Sequence, residues 1–560
     1  MLTPDSSDTM KEGLTNRTWH VLLVSQNEQT TISLDKFLEN SDIKEVSVSR
    51  REDAVNCLRQ NNFDAVIADI CQDPDNGMLL RHDVRMMDEK IPILFMTPLF
   101  YYSDMGLLDQ VVEDPYSYYI PENADAKFML SKLHQVIHTH DAENSLEHLQ
   151  TKVTRNWDMA GLLQKAMLPP WVYFSEQYEF SYLYHPFTKV SGDVFEWLPL
   201  DENRALFIFG DISGHGTHSA LAMTALQSYL SQVIMLDKDR ATRPGQIISD
   251  INNFLCLHLH NIVYMSTLIA YIDFKDNFIR YQNAGCMDIL CVDADTGEAV
   301  DINPEKKGSI PPGMIKNAAY SEENNVEYHF SDSSVFLLCS DGLMDLSKDK
   351  AGSLYVDMEL YRRLASVLLK DAQKEERSIA HPFRCLHSLE QVGYVHPQDD
   401  LSMILIRKPL LQEHEYVFSC RVPADKKAAD AICKNASDFV TKFYQDDVLA
   451  VSTELLLEEY LVNVIMHGLT EYERLNEYIA IKLCAYEHEL KLIIWDHGKE
   501  WNGMIMPPEN AEEILDRQNE TLAESGRGIP IISKIASRIS RQRYSGLNET
   551  IFFIPYHPEE

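Results

Sequence analysis

The chain has no C-x-x-C pair among its ten cysteines, no long unbroken apolar run, and few cations for its size. Each absence narrows the possibilities. Cysteines such as Cys339 and Cys484 sit inside apolar runs, so they read as small core residues of a reducing compartment. The longest apolar stretch, Ile91 to Tyr102, is interrupted by Pro92 and Pro98 and is too short to span a bilayer. Met1 to Trp19 is polar and acidic, without the basic and apolar regions of a signal peptide. A cytoplasmic location is therefore expected. With 86 acidic against 50 basic residues, the formal charge is −36. Such a surface repels phosphate backbones and anionic lipid, so neither a nucleic acid nor a membrane is expected as partner.

What is present is enough for several domains. The chain has 560 residues, 45% of them hydrophobic, which suggests about three or four domains with ordinary cores. The polar first 18 residues are expected to be disordered. From Trp19 to about residue 125, short Val/Ile/Leu-rich strands (His20–Val24, Asp64–Asp69, Ile91–Thr97) alternate with helical segments, the pattern of a doubly wound parallel sheet. A long helix follows, roughly Ala126 to Met167, inside a linker of residues 126–170. Leu146, Leu149, Val153, Ala160, Leu163 and Met167 recur at spacings of three and four or their multiples, with Trp157 nearby. This is either a coiled-coil seam, which makes the protein a homodimer, or one amphipathic helix packed on its own domain. Leu168-Pro169-Pro170 ends it. Residues 171–408 read as strand-rich. Residues 412–560 begin with a strand at Glu415–Cys420, followed by a long helix and further strands. The fold class is thus multidomain, α/β and α+β.

Four acidic segments stand out in the central region: Ser191-Gly192-Asp193, Gly210-Asp211-Ile212-Ser213-Gly214-His215-Gly216, Ser340-Asp341-Gly342 and Asp399-Asp400-Leu401-Ser402. In each, an apolar strand delivers an aspartate into a turn. Carboxylates converging at strand ends repel one another unless a cation neutralises them, and oxygen ligands suit Mg²⁺ or Mn²⁺. A single Asp-Gly means only a turn. Four such segments in one region are harder to explain that way.

In these segments the chain resembles the SpoIIE-like phosphatases of the PPM family of metal-dependent serine/threonine phosphatases, over about Ala160 to Arg407. The likeness includes the Leu168-Pro169-Pro170 lead-in, the Asn283-Ala284-Gly285 turn and Pro312-Gly313-Met314. It implies a β-sandwich with flanking helices and two Mg or Mn ions. Asp211 would bridge the two ions and act as the catalytic centre. Asp193 and the Ile212 carbonyl would serve one metal, and Asp341 and Asp399 the other. Asp400 matches a position that is not usually a ligand. Ser191 and Cys286 depart from the usual glycine and histidine, and neither departure removes a ligand. His215 reads as a turn residue rather than a general acid.

Further motifs follow in order. Glu459 and Asn463 lie four apart on one helix face. The strand Lys491–Trp495 delivers Asp496-His497-Gly498, and Gly526-Arg527-Gly528 opens a helix, where backbone N–H groups can approach phosphates. Together they resemble the GHKL ATPase fold, an α/β sandwich, and most closely its anti-sigma-factor serine kinases. That resemblance implies ATP with Mg. Asn463 would hold the metal, Asp496 would read adenine, Gly498, Gly526 and Gly528 would line the nucleotide, and Glu459 would be the catalytic base. Trp501-Asn502 stands where Phe-Asp is usual. No phosphoacceptor-histidine helix is evident.

Residues 19–125 resemble a response-regulator receiver. Asp69 matches the phosphoacceptor and Thr97 the switch hydroxyl, but Ser25 and Gln26 replace the acidic pair and the lysine near Tyr119-Ile120-Pro121 is missing. Phosphorylation is expected to be weak or absent unless Glu28 and Asp73 compensate. The combined resemblance implies a bifunctional partner-switching regulator. One domain would dephosphorylate, and another phosphorylate, a serine of a STAS-type anti-sigma-factor antagonist, controlling a sigma factor or a similar regulator. The alternative is a phosphatase whose C-terminal domain mainly sequesters a sigma factor, an anti-sigma factor or another partner.

Overall fold

The computed structural model describes residues 18–38, 41–71, 73–98, 114–214, 216–260, 262–350, 352, 354–373, 378–409, 416–500 and 528–556. The N-terminal tail expected to be disordered, His215, Trp501-Asn502 and Gly526 lie outside them. The chain divides into two compact units, Met1–Arg155 and Asn156–Glu560.

In the first unit, β1 (Trp19–Val24), α1 (Glu28–Leu38), β2 (Ile43–Val48), α2 (Arg51–Gln60), β3 (Ala65–Asp69), α3 (Pro74–Met87), β4 (Ile93–Thr97) and β5 (Ser117–Pro121) follow in turn. The strands form a parallel sheet of order β2-β1-β3-β4-β5. Alternation along each strand explains the two-sided cover. Val21, Leu23, Ile67 and Leu94 join Leu34 of α1 and Leu133 and Ile137 of the next helix, α4 (Ala126–Met167). Leu22, Val66, Ile93 and Phe95 face the other way, onto Ala54 of α2 and Leu80 and Val84 of α3. The expected doubly wound sheet is present. The long helix has the bounds read from the sequence. Leu146, Leu149 and Val153 in its mid-section, and Leu163 nearer its end, are between 51% and 64% exposed.

The second unit opens with a sandwich of two antiparallel sheets. One has the order β14-β11-β10-β9-β8, the other β13-β12-β15-β16-β7-β6. The elements are β6 (Val172–Phe174), β7 (Glu179–His185), β8 (Asp193–Pro199), β9 (Arg204–Ile212), α5 (Thr217–Leu236), α6 (Pro244–Leu257), β10 (Met265–Asp273), β11 (Phe278–Ala284), β12 (Leu290–Asp293), β13 (Ala299–Val300), β14 (Val326–His329), β15 (Ser334–Cys339), α7 (Met358–Gln373), α8 (His381–Gln391) and β16 (Leu401–Arg407). Aromatic rings interlock the sheets: Phe180 stacks on Trp197 at 4.6 Å and Tyr182 meets Phe195 at 4.4 Å. Helices α5 and α6 cover the first sheet, and α8 covers β7 and β16.

The C-terminal region adds β17 (Tyr416–Pro423), α9 (Lys426–Tyr444), α10 (Asp447–Asn463), β18 (Tyr478–Ala485), β19 (Glu489–Asp496), α11 (Gly528–Ile535), β20 (Arg538–Tyr544) and β21 (Leu547–Pro555). Its antiparallel sheet runs β17-β18-β19-β21-β20. Asp425 and Asp446 cap α9 and α10 by accepting from Ala428 N and Leu449 N. One face of the sheet, with Ile481, Leu483, Leu492 and Ile494, packs on these helices. The other face, with Ala480, Ile493, Trp495 and Ile551, belongs to the same hydrophobic cluster as the sandwich core. The sandwich and the C-terminal sheet therefore share one core.

Candidate active sites

The four acidic segments meet at one end of the sandwich. β8 and β9 are antiparallel with Asp193 opposite Asp211, so two carboxylates leave adjacent strands side by side. Gly192 permits this approach: a Cβ there would stand 2.7 Å from Asp211 Oδ1 and 2.9 Å from the Ile212 carbonyl. From the other sheet, Gly342 lies on the backbone of Asp399 and Asp400, where a Cβ would meet the Asp400 carbonyl at 2.0 Å. That contact joins the Asp341 turn to the Asp399 turn.

Asp400 itself faces inward. Its carboxylate accepts from Phe187 N at 2.7 Å and Gly192 N at 2.8 Å, which ties the first motif to the fourth. Ser402 donates its hydroxyl to Asp193, which is buried. Cys286 follows the Asn-Ala-Gly turn. Its thiol lies 3.6 Å from the Ser266 hydroxyl, and Ser266 pairs with Asp211 across β9 and β10.

Electrostatics reflect this crowding. Burial, then Asp341 and Asp399, push Asp211 up to about 8. Burial and the neighbouring Asp211 hold Asp193 well above the usual carboxylate range. Burial and Asp399 raise Asp341. Buried oxygen donors that repel one another are the donor type of a hard divalent cation such as Mg²⁺ or Mn²⁺. The set is within electrostatic reach but open: among the described residues, no group of three or more His, Cys, Asp or Glu side chains is arranged to hold a metal ion.

A second site lies on the C-terminal sheet. A cavity of about 460 Å³ is lined by Asn463, Gly468, Asp496, Lys499, Arg541 and Asn548 among others. Asp496 is buried at its base. It accepts from Gly498 N and Asn548 Nδ2 at 2.8 Å each, and from the Tyr460 hydroxyl at 3.0 Å. Burial raises its pKa against these three hydrogen bonds. Gly528 opens α11 directly over α10, where a Cβ would stand 2.7 Å from Glu459 Oε2 and 3.2 Å from Asn463 Nδ2. Glu459, Asn463 and Gly528 are thus brought together. Burial and Glu458 raise the Glu459 pKa. A π-turn, Val464–Gly468, follows Asn463 and bends the chain around the cavity mouth. The partners Tyr460 and Asn548 carry no motif and were not singled out from the sequence.

In the first unit, Asp69 ends β3 as expected. It accepts from the Ser25 hydroxyl at 2.7 Å and from Cys71 N at 3.1 Å. Asp73 lines the same small cavity but caps α3 through Asn76 N.

Comparison with known proteins agrees with this geometry. Residues 201–409 match the family model of Stage II sporulation protein E (SpoIIE). Residues 422–553 match the histidine kinase-like ATPase domain. The chain therefore carries a SpoIIE-type, PP2C-like serine phosphatase domain followed by a histidine kinase-like ATPase domain. A curated relative, the phosphoserine phosphatase RsbP of Bacillus subtilis (strain 168), is 25% identical over 205 residues. The match covers 35% of this chain and 46% of RsbP, less than half its length. Among solved structures, the RsbU and RsbW domains of Rv1364c from Mycobacterium tuberculosis align over 68% of this chain and 96% of that one, at 16% identity and a TM-score of 0.35. The SiaA-PP2C domain of Pseudomonas aeruginosa aligns over 46% and 98%, at 19% identity and a TM-score of 0.38. No helix among the described residues is long and apolar enough to cross a membrane.

Proposed function

We propose that the protein is a partner-switching regulator. Its central domain removes phosphate from a serine of a small protein of the STAS antagonist type, and its C-terminal domain restores that phosphate from ATP. The observation that carries this reading is the side-by-side exit of Asp193 and Asp211 from paired strands, facing the Asp341 and Asp399 turns. Two divalent ions held by Asp193, Asp211, the Ile212 carbonyl, Asp341 and Asp399 would supply an activated water and offset phosphoryl charge.

The remaining residues position and orient. Ser402 fixes the Asp193 carboxylate, and Asp400 fixes the backbone at Gly192. In the C-terminal cavity, Tyr460, Gly498 and Asn548 orient Asp496 toward an adenine amino group. Asn463 would hold Mg²⁺. Glu459, made a stronger base by burial and by Glu458, takes the proton of the substrate hydroxyl. Asp69 is held by a serine hydroxyl where a phosphoacceptor needs metal-binding acids, which supports a docking or dimerising role for the first unit. The exposed seam of Leu146, Leu149, Val153 and Leu163 supports association with a second copy through α4.

The test is direct. A phosphorylated STAS-type protein, incubated with the full chain and Mn²⁺, releases phosphate, and Asp211→Asn does not. Labelled ATP marks the dephosphorylated protein, and Glu459→Ala does not. Absence of both reactions rejects the reading.

A further inference from the structure

Two neighbouring residues in the last turn of α4 reach the two sites. Gln164 is buried. Its Nε2 donates to the Ser191 carbonyl at 2.7 Å, and its Oε1 accepts from Ser191 N at 2.9 Å. One amide thus clamps both backbone groups of the residue that leads into Gly192 and Asp193. The Ser191 hydroxyl then accepts from Asp193 N at 3.0 Å.

Lys165 points into the C-terminal domain. Its Nζ pairs with Glu477 Oε2 at 3.1 Å, and Glu477 Oε1 meets His497 Nδ1 at 2.8 Å. Glu477 is 2% exposed. His497 directly follows Asp496. Its ring is wedged between Trp171 at 5.0 Å and Phe383 at 5.4 Å. The helix end is gripped as well, since Asn476 Nδ2 donates to the carbonyls of Lys165 and Leu168 at 2.9 and 3.0 Å.

We propose that this helix turn couples the two active sites: Lys165, Glu477 and His497 transmit occupancy of the nucleotide cavity to Gln164, which positions the Ser191–Asp193 loop of the phosphatase. The proposal rests on the reading of the cavity as a nucleotide site. Its physical basis is the stiffness of the route. A buried carboxylate held between the Lys165 ammonium and the His497 ring follows them when they move, because losing either leaves one of its oxygens unpaired. His497 is joined through the backbone to Asp496, and Gln164 to Lys165 within one helix turn, so a backbone displacement at either end is passed to its neighbour. Both are positioning residues, since neither faces the reacting atoms. Linkage makes the coupling reciprocal.

Hydrogen exchange of the full chain, with Mg²⁺ and saturating ADP and with no phosphoprotein present, tests this without turnover; the reference sample holds the same Mg²⁺ without ADP. ADP binding is measured by calorimetry in the same buffer. The expected result is a change of at least about fivefold in amide exchange over residues 188–195 of the wild type. Lys165→Met abolishes the change while its ADP affinity stays within about twofold of wild type, and Lys165→Arg retains the change. ADP binding with unaltered exchange at 188–195 overturns the coupling alone. A response that survives in Lys165→Met overturns the route. Failure of ADP to bind overturns the coupling together with the nucleotide reading.

Discussion

Lys482 and Glu179, 303 residues apart in the chain, form an ion pair of 2.9 Å with both side chains buried. Glu179 also meets Arg407 at 3.3 Å. The pair joins the C-terminal sheet to the first long strand of the phosphatase sandwich. Against the cost of burial, Lys482 and Arg407 hold the Glu179 carboxyl below its usual range. Lys482→Met strands a buried carboxylate beside one remaining cation. It is expected to destabilise the second unit by about 3 kcal/mol, read from denaturant unfolding. A loss below about 0.5 kcal/mol would show the pair to be as cheap as a surface one.

Ser402 touches Asp193 and has no place in the sequence motif's ligand set. Groups that orient a metal ligand matter almost as much as the ligand. Ser402→Ala is expected to weaken Mn²⁺ binding by about 10–100-fold, measured by calorimetry on the unloaded protein. Unchanged affinity would mean that Asp193 is oriented by its strand alone.

Asn548 donates to Asp496 and to the Gly498 carbonyl, at 2.8 and 2.9 Å. Removing it leaves the Asp496 carboxylate held only by Gly498 N and the Tyr460 hydroxyl. Asn548→Ala is expected to cost about tenfold in ADP affinity, in line with one lost hydrogen bond to a charged group. Asp496→Asn should lose binding more severely in the same titration.

Glu196, on β8, is pushed up to about 7 by burial, against a hydrogen bond from Gln227. A carboxyl raised in the folded state binds more protons there than in the unfolded chain. Its contribution to stability therefore falls as pH rises from its unfolded value, 4.5, through about 7. Glu196→Gln is expected to raise the melting temperature at pH 8 and to leave it nearly unchanged at pH 4. Equal effects at both values would refute the assignment.

Leu149 is 57% exposed on the α4 seam. If that seam pairs with a second copy, Leu149→Glu converts a dimer to a monomer in sedimentation at micromolar concentration, with the phosphatase fold intact by circular dichroism. A wild-type chain that sediments as a monomer would remove the homodimer from the reading.

Much of this was legible in the sequence, for local reasons. The three central receiver-like strands, β1, β3 and β4, read correctly to within two residues, since runs such as Val66, Ile67 and Ala68 have no polar face to confuse, whereas β2 and β5, more polar edge strands, did not show. The long helix read from Ala126 to Met167, because Pro169 and Pro170 set a hard stop. Asp193, Asp211 and Asp341 showed themselves because each lies beside glycine at the end of an apolar strand, although only Asp211 and Asp341 are delivered by one: Asp193 opens β8, and Asp399 precedes β16. What did not show depends on distant pairing. Asp400 reads as one more acidic residue until its hydrogen bonds to Phe187 and Gly192 are seen, 213 and 208 residues away. The side-chain partners of Asp496, Tyr460 and Asn548, come from a helix and a strand far from its own motif. The shared core was foreshadowed in one place. β18 reads Tyr-Ile-Ala-Ile-Lys-Leu-Cys-Ala, apolar on both faces apart from Lys482. A strand exposed on one side would alternate more strictly.

The common core of the phosphatase and ATPase domains bears on any attempt to separate them. Severing the chain between Arg407 and Tyr416 and expressing the second piece by itself would bare Trp495, Ile493 and Ile551 as a sticky plane. Such a fragment would be prone to clump, and weak nucleotide turnover from it would say little about the enzyme in its native setting.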